Sequence, residues 1–164
     1  MGRTADYSKQ SCSIAATLEV IGDPWTLLVI RDAFNGLTRF EQWQDRLGVA
    51  RNVLAARLKT LVAFGIMETQ RYSERPPRQE YLLTEKGLAL RDVLLTMLAW
   101  GERHVYGSTE GLANYRHKAC GCQLQPTLYC GACDQPTVPG DLDYTDAEPL
   151  PTVGEVLKRQ DEAA

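Results

Sequence analysis

The hydrophobic period of this chain changes at Gly65. Before it, apolar residues recur at helical spacing in short blocks, each ended by a turn; after it come two strand-like stretches joined by a basic loop. Ile14, Leu18 and Ile21 mark a first helix, which Gly22-Asp23-Pro24 ends while opening a second, Trp25 to Phe34. Thr38 suits the N-cap of a third helix, with Glu41 completing a capping box, and this helix should bury Phe40 and Trp43 before ending near Leu47-Gly48. A fourth runs from about Ala50 to Phe64, with Leu54, Leu58 and Leu61 on one face and Gly65 as its stop. Ile66 to Tyr72 and Gln79 to Leu83 read as strands around the loop Ser73-Glu74-Arg75-Pro76-Pro77-Arg78. Thr84-Glu85-Lys86-Gly87 then opens a long helix to about Val105, apolar at Leu88, Leu94, Leu95, Leu98 and Trp100. Short helices, a hairpin and a closing helix in this order predict a winged helix-turn-helix, a mainly α (α+β) fold.

The net charge of −3 over 164 residues looks unfriendly to nucleic acid, but it averages unlike regions. Residues 1–106 carry 14 Lys+Arg against 12 Asp+Glu, and residues 107–164 carry 4 against 9. Within the first part, residues 31–78 hold nine basic and five acidic side chains. The second part holds four of the five cysteines and five of the eight prolines. The division predicted is a winged helix-turn-helix domain over 1–106, a Cys-rich zinc-ribbon-like β module over 107–145, and an acidic tail over 146–164. The chain shows no internal repeat. Apolar runs reach only four residues, as in Leu27 to Ile30, far short of the roughly 20 that a membrane span needs. Met1 to Ser11 lacks the apolar core of a secretory leader, so a cytoplasmic protein with reduced cysteines is expected.

A helix-turn-helix braces one helix on the DNA backbone and lays a second in the major groove. Arg39 to Arg46 would brace and Ala50 to Phe64 would recognise. With Leu54, Leu58 and Leu61 facing the core, Arg51, Asn52, Ala55 and Lys59 point away from it. Arg pairs with guanine and Asn with adenine through two hydrogen bonds each, and small Ala55 and Ala56 permit close approach. Arg39, Arg57, Arg75 and Arg78 suit phosphate contacts, which fix register without reading sequence.

Four motifs carry a family resemblance: Gly22-Asp23-Pro24-Trp25-Thr26-Leu27-Leu28-Val29-Ile30-Arg31, Gly36-Leu37-Thr38-Arg39-Phe40, Val53-Leu54-Ala55-Ala56-Arg57-Leu58 and Glu80-Tyr81-Leu82-Leu83-Thr84-Glu85-Lys86-Gly87. Over about residues 12–105 the chain resembles HxlR-type regulators, bacterial transcription factors of winged-helix fold related to the MarR group. The resemblance implies a homodimer on a pseudo-palindromic operator in double-stranded DNA, with the first and last helices of the domain as the dimer interface. Pro24 departs from the family, which often has Lys or Arg before the Trp. Many members also carry a cysteine where Cys12 stands, just before the first helix, and use it to sense a small electrophile or oxidant. A helix N-terminus favours thiolate, which makes Cys12 a candidate redox sensor; a partly buried small apolar residue is the plainer reading.

His117-Lys118-Ala119-Cys120-Gly121-Cys122 is followed by Cys130-Gly131-Ala132-Cys133. H-x2-C and C-x2-C arms on tight turns can meet around one tetrahedral ion, as in zinc ribbons. Gly121 and Gly131 are the expected sources of backbone freedom. His117, Cys120, Cys130 and Cys133 are the expected ligands of a structural zinc, and Cys122 competes for the place of Cys120 or His117. The alternatives are reduced thiols or a Cys130–Cys133 redox pair.

An enzyme is not expected. His104 and His117 are the only histidines, and no nucleophile–base pair occurs at recognisable spacing. The sequence therefore points to a sequence-specific DNA-binding regulator, a repressor before an activator. The alternative is a protein-interaction adaptor or thiol redox sensor using the winged helix and zinc ribbon.

Overall fold

The structure, a computed structural model, describes residues 6–75, 77–107, 115–124, 126–138, 140–143 and 150–162. Helices α1 (Ser13–Ile21), α2 (Pro24–Phe34), α3 (Phe40–Leu47) and α4 (Arg51–Ala63) lead into an antiparallel hairpin of β1 (Met67–Glu74) and β2 (Pro77–Leu83). Then come α5 (Glu85–Leu88), α6 (Arg91–His104) and a C-terminal α7 (Val153–Glu162). Two compact units result: Met1–Ala89 with Glu148–Ala164, and Leu90–Ala147. Among the described residues no single helix is long and apolar enough to cross a membrane.

The local signals act through identifiable contacts. Asp23 caps α2 by accepting a hydrogen bond from the Trp25 N–H at 3.0 Å, with Pro24 at the first helical position. The cap of α3 falls one residue later than expected. Arg39 is the N-cap, and Gln42 rather than Glu41 reaches back, its Oε1 accepting from the N–H groups of Thr38 (3.0 Å) and Arg39 (2.9 Å). Thr38 is engaged elsewhere: its hydroxyl donates to Glu80 at 3.2 Å, and its carbonyl accepts from the Tyr81 N–H at 2.7 Å.

Strand pairing also continues further than expected. Ser73 pairs with Arg78 and Glu74 with Pro77, so most of the anticipated loop belongs to the ladder, with an irregularity between Arg71 and Ser73. Pro76 lies outside the described residues. The single long helix after Thr84 is two helices. Thr84 caps the first, accepting from the Gly87 N–H at 3.2 Å while its hydroxyl donates to the Gly65 carbonyl at 2.6 Å. Lys86 donates to the Phe64 carbonyl at 2.8 Å, and a side chain at Gly87 would collide with the Ile66 carbonyl. These ties bind α5 to the end of α4, and α6 begins anew in the second unit.

The core of the first unit lies where α2, α3, α4 and the start of β1 meet. Val29, Ile30, Trp43, Leu54, Leu58, Leu61, Ile66 and Met67 are buried there. Each large side chain among them contributes about 1.5–3 kcal/mol relative to exposure. Trp43 satisfies its indole N–H on the Val29 carbonyl at 3.1 Å and meets Tyr81 edge to face at 6.1 Å. Buried Asp32 joins α2 to α3, its Oδ1 accepting from Arg31 Nε (2.9 Å) and Arg46 Nε (3.0 Å).

The segment read as an acidic tail is in part a packed helix. Thr152 and Glu155 form a capping box, the Thr152 N–H donating to Glu155 Oε2 at 2.8 Å. These contacts hold the Glu155 carboxyl below its usual range. Val153 is buried, and the N–H groups of Val153 and Gly154 donate to the carbonyls of Gln10 (2.8 Å) and Ser8 (2.9 Å). Opposite charge at the domain level did not exclude this packing, because α7 docks through backbone and apolar groups. The residue boundary expected at 145/146 lies outside the described residues.

Candidate nucleic-acid interface

Burial of Leu54, Leu58 and Leu61 turns the other face of α4 outward, and Arg51, Asn52, Ala55 and Lys59 are all exposed on it. Arg51, at the helix N-terminus, is already held. Its Nη1 donates to Gln44 Oε1 at 2.7 Å, and its guanidinium carbon stands 4.8 Å from the Phe40 ring centroid. A positioned guanidinium beside Asn52 at the start of a solvent-facing helix is suited to reading base edges in a groove.

Arg39 lies over the Tyr72 ring at 4.4 Å, which links the start of α3 to the hairpin. Arg75 and Arg78 are exposed at and near the hairpin tip. Arg71 extends this basic surface and was not singled out in the sequence. It pairs with exposed Glu74 at 3.5 Å, a contact that water and salt screen heavily. Phe40, Tyr72, Arg71 and Arg78 border an open cleft of about 430 Å³ between α3 and the hairpin.

Part of the local positive charge is engaged by carboxylates of the same unit. Arg57, expected to meet phosphate, is half-buried and pairs with the Asp23 carboxylate at 3.3 Å. It fastens α4 to the N-terminus of α2. Arg31 and Arg46 are similarly committed to Asp32. Arg39, Arg51, Lys59, Arg71, Arg75 and Arg78 form the outward basic set. Gln44 also escaped sequence reading, because it meets Arg51 across the turn, seven residues away, and no local pattern reports such a pair.

Cys12 is exposed and is the N-cap residue of α1, with extended backbone and no side-chain capping bond. In the second unit, His117 Nδ1 lies 3.3 Å from Cys120 Sγ, and the Cys122 thiol donates to the Cys120 carbonyl at 3.7 Å. The Cys122 N–H, His117 and the Cys122 thiol, in that order, lower the Cys120 thiol to about 7. Cys130 is lowered by the N–H groups of Ala132 and Cys133, then by the Cys133 thiol. The five donors thus gather in two groups, His117, Cys120 and Cys122 in one and Cys130 and Cys133 in the other. Among the described residues no three His, Cys, Asp or Glu side chains come together to hold a metal ion. The backbone freedom expected of Gly131 lies instead at Asp134, whose φ is +54°.

The fold and its outward basic helix and hairpin define a winged helix-turn-helix transcription regulator. The HxlR-like helix-turn-helix family profile matches residues 20–110. The chain is 37% identical over 123 residues to the uncharacterized HTH-type transcriptional regulator MT3179 of Mycobacterium tuberculosis, covering 75% of this chain and 78% of that one. It is similar to the crystal structure of PA1607, a candidate transcription factor, with a TM-score of 0.73 and 37% identity over 86% of this chain and 99% of that one. The redox regulator HypR in its reduced form matches with a TM-score of 0.54 and 31% identity, over 58% of this chain and 98% of its own. The chain belongs to the HxlR-like helix-turn-helix family.

Proposed function

We propose that this regulator is a cytoplasmic homodimeric repressor that binds a pseudo-palindromic operator, with α4 in the major groove and the β1–β2 hairpin on the flanking backbone. The observation that carries this reading is Arg51, held by Gln44 and Phe40 beside exposed Asn52. Arg51, Asn52 and Ala55 meet base edges, whereas Arg39, Lys59, Arg71, Arg75 and Arg78 meet phosphate. Arg57 is left out because Asp23 engages it.

Uncovered apolar side chains support the dimer. In the first unit α1 leaves Ile14 71% exposed, and in the second α6 leaves Met97 50% and Trp100 62% exposed. These are large apolar groups for helices that face water in the single chain. A dimer seated on an operator excludes polymerase, which makes repression the simplest outcome.

The test is capture of genomic fragments by the purified protein, followed by salt titration on the retained sequence. A regulator neutralising several phosphates loses affinity steeply with salt. A protein-interaction adaptor retains no specific fragment, and that result would reject the reading.

A redox-sensing version is favoured by exposed Cys12 and by the likeness to HypR. It requires operator affinity to change on mild oxidation in the wild type and to hold steady in Cys12→Ser. Equal responses dispose of it.

A further inference from the structure

The cysteine-rich hairpins contain a structural repeat of 13 residues. The bridge Arg116–Gln123 recurs as Tyr129–Pro136. The hydrogen bond from the His117 N–H to the Cys122 carbonyl (2.9 Å) recurs from Cys130 to Gln135 (2.9 Å). Gly121 to His117 (2.7 Å) recurs as Asp134 to Cys130 (2.8 Å), and Leu124 to Tyr115 (2.8 Å) as Thr137 to Leu128 (2.8 Å). Even the left-handed residue repeats, Gly121 at φ +68° and Asp134 at +54°. Few side chains match between the two stretches, yet the backbone shows two copies of one turn.

We propose that these two turns are the halves of a single zinc site, in which one Zn²⁺ draws the hairpins together through His117, Cys120, Cys130 and Cys133, with Cys122 outside the ligand set. The 13-residue correspondence of backbone bonds makes the assignment. His117 corresponds to Cys130 and Cys120 to Cys133, so each turn offers two donors at the same two places. Cys122 corresponds to Gln135, a position that carries no ligand in the other copy. This resolves the competition among the three donors of the first arm.

Three further observations fit. Zn–S and Zn–N lengths of about 2.3 and 2.0 Å put neighbouring N and S donors of a tetrahedron about 3.5 Å apart. His117 Nδ1 and Cys120 Sγ stand 3.3 Å apart, close to that edge. Backbone N–H groups are aimed at sulfur in both copies: Cys122 donates to Cys120, and Ala132 and Cys133 donate to Cys130. Such bonds stabilise the negative charge of ligating thiolates, as outer-shell partners of metal sites do. Finally, no described residue from Tyr115 to Leu142 is buried, and Leu128, Tyr129 and Leu142 are exposed. So small a segment has no hydrophobic core to order it, and segments of this size are generally held by a metal, disulfides or a partner.

Three thiolates and one imidazole around a single ion leave no open position, so the site holds structure and performs no catalysis. Zinc binding at this site is independent of operator binding, since neither the ligands nor their assay involve DNA.

The test uses the full chain, purified under reducing conditions without a His tag, with zinc measured by elemental analysis and native mass spectrometry. One equivalent is expected in the wild type and in Cys122→Ser. Cys120→Ser, Cys133→Ser and His117→Ala should fall at least fivefold. His117→Cys, which makes the two arms alike, should retain the ion, and its cobalt form should show stronger thiolate-to-metal charge transfer than the wild type. Wild-type zinc below half an equivalent overturns the proposal, as does an intramolecular disulfide in its place. Loss of zinc in Cys122→Ser with retention in Cys120→Ser overturns the ligand assignment.

Discussion

Removing the Gln44 side chain tests whether Arg51 is positioned before DNA arrives. Fixing an arginine costs up to about 2 kcal/mol of rotamer freedom. Here the 2.7 Å hydrogen bond to Gln44 and the 4.8 Å approach to Phe40 already restrict the guanidinium. Both contacts are exposed, so each is worth at most about 1 kcal/mol. Gln44→Ala is therefore expected to weaken operator binding by about 0.5–1 kcal/mol, roughly two- to fivefold. Arg51→Ala should cost about 1–3 kcal/mol, concentrated at one base position. Because Gln44 acts through Arg51, its substitution should have almost no further effect in the Arg51→Ala background. Fluorescence anisotropy at fixed salt, over all four proteins, closes this double-mutant cycle. Penalties that add within about 0.3 kcal/mol would show instead that Gln44 is an independent contact.

Three other perturbations have defined outcomes. Asp32→Asn removes the negative charge that pairs with two guanidinium groups, leaving only a neutral acceptor, and buries an amide N–H₂ where Oδ2 has no partner among the described residues. We expect a loss of about 2–4 kcal/mol and a thermal midpoint lower by about 5–15 °C by circular dichroism; an unchanged midpoint contradicts the assigned role. Val153→Asp places a charge at the buried contact of α7, so limited proteolysis within 150–162 should accelerate while α1 to α5 stay protected. Equal cleavage of wild type and variant would show that α7 is not held there. Met97→Glu with Trp100→Glu should halve the molar mass measured by light scattering, and an unchanged mass removes α6 from the dimer interface.

Much of the winged helix was legible because its signals are local. Leu54, Leu58 and Leu61 repeat at helical spacing and are all buried. Asp23-Pro24 is a start signal whose cap forms as expected. The Thr152-Val153-Gly154-Glu155 capping box was equally readable but lay within a stretch judged by its acidic charge. Charge counts said least about individual residues. Arg31, Arg46 and Arg57 belong to the basic stretch 31–78, yet each is paired with a carboxylate, Asp32 for the first two and Asp23 for the third.

Local patterns in the chain specify the order of elements from α1 to β2 and the face of α4 that enters the core. Periodicity and capping act within a few residues, and a linear reading can follow them. Only the folded arrangement sets which arginines are paired with carboxylates, that Gln44 holds Arg51, that α7 returns to the N-terminal segment, and that two dissimilar stretches share one turn. Each of these depends on groups distant in sequence or on backbone geometry that different side chains can share, so only the folded chain displays them.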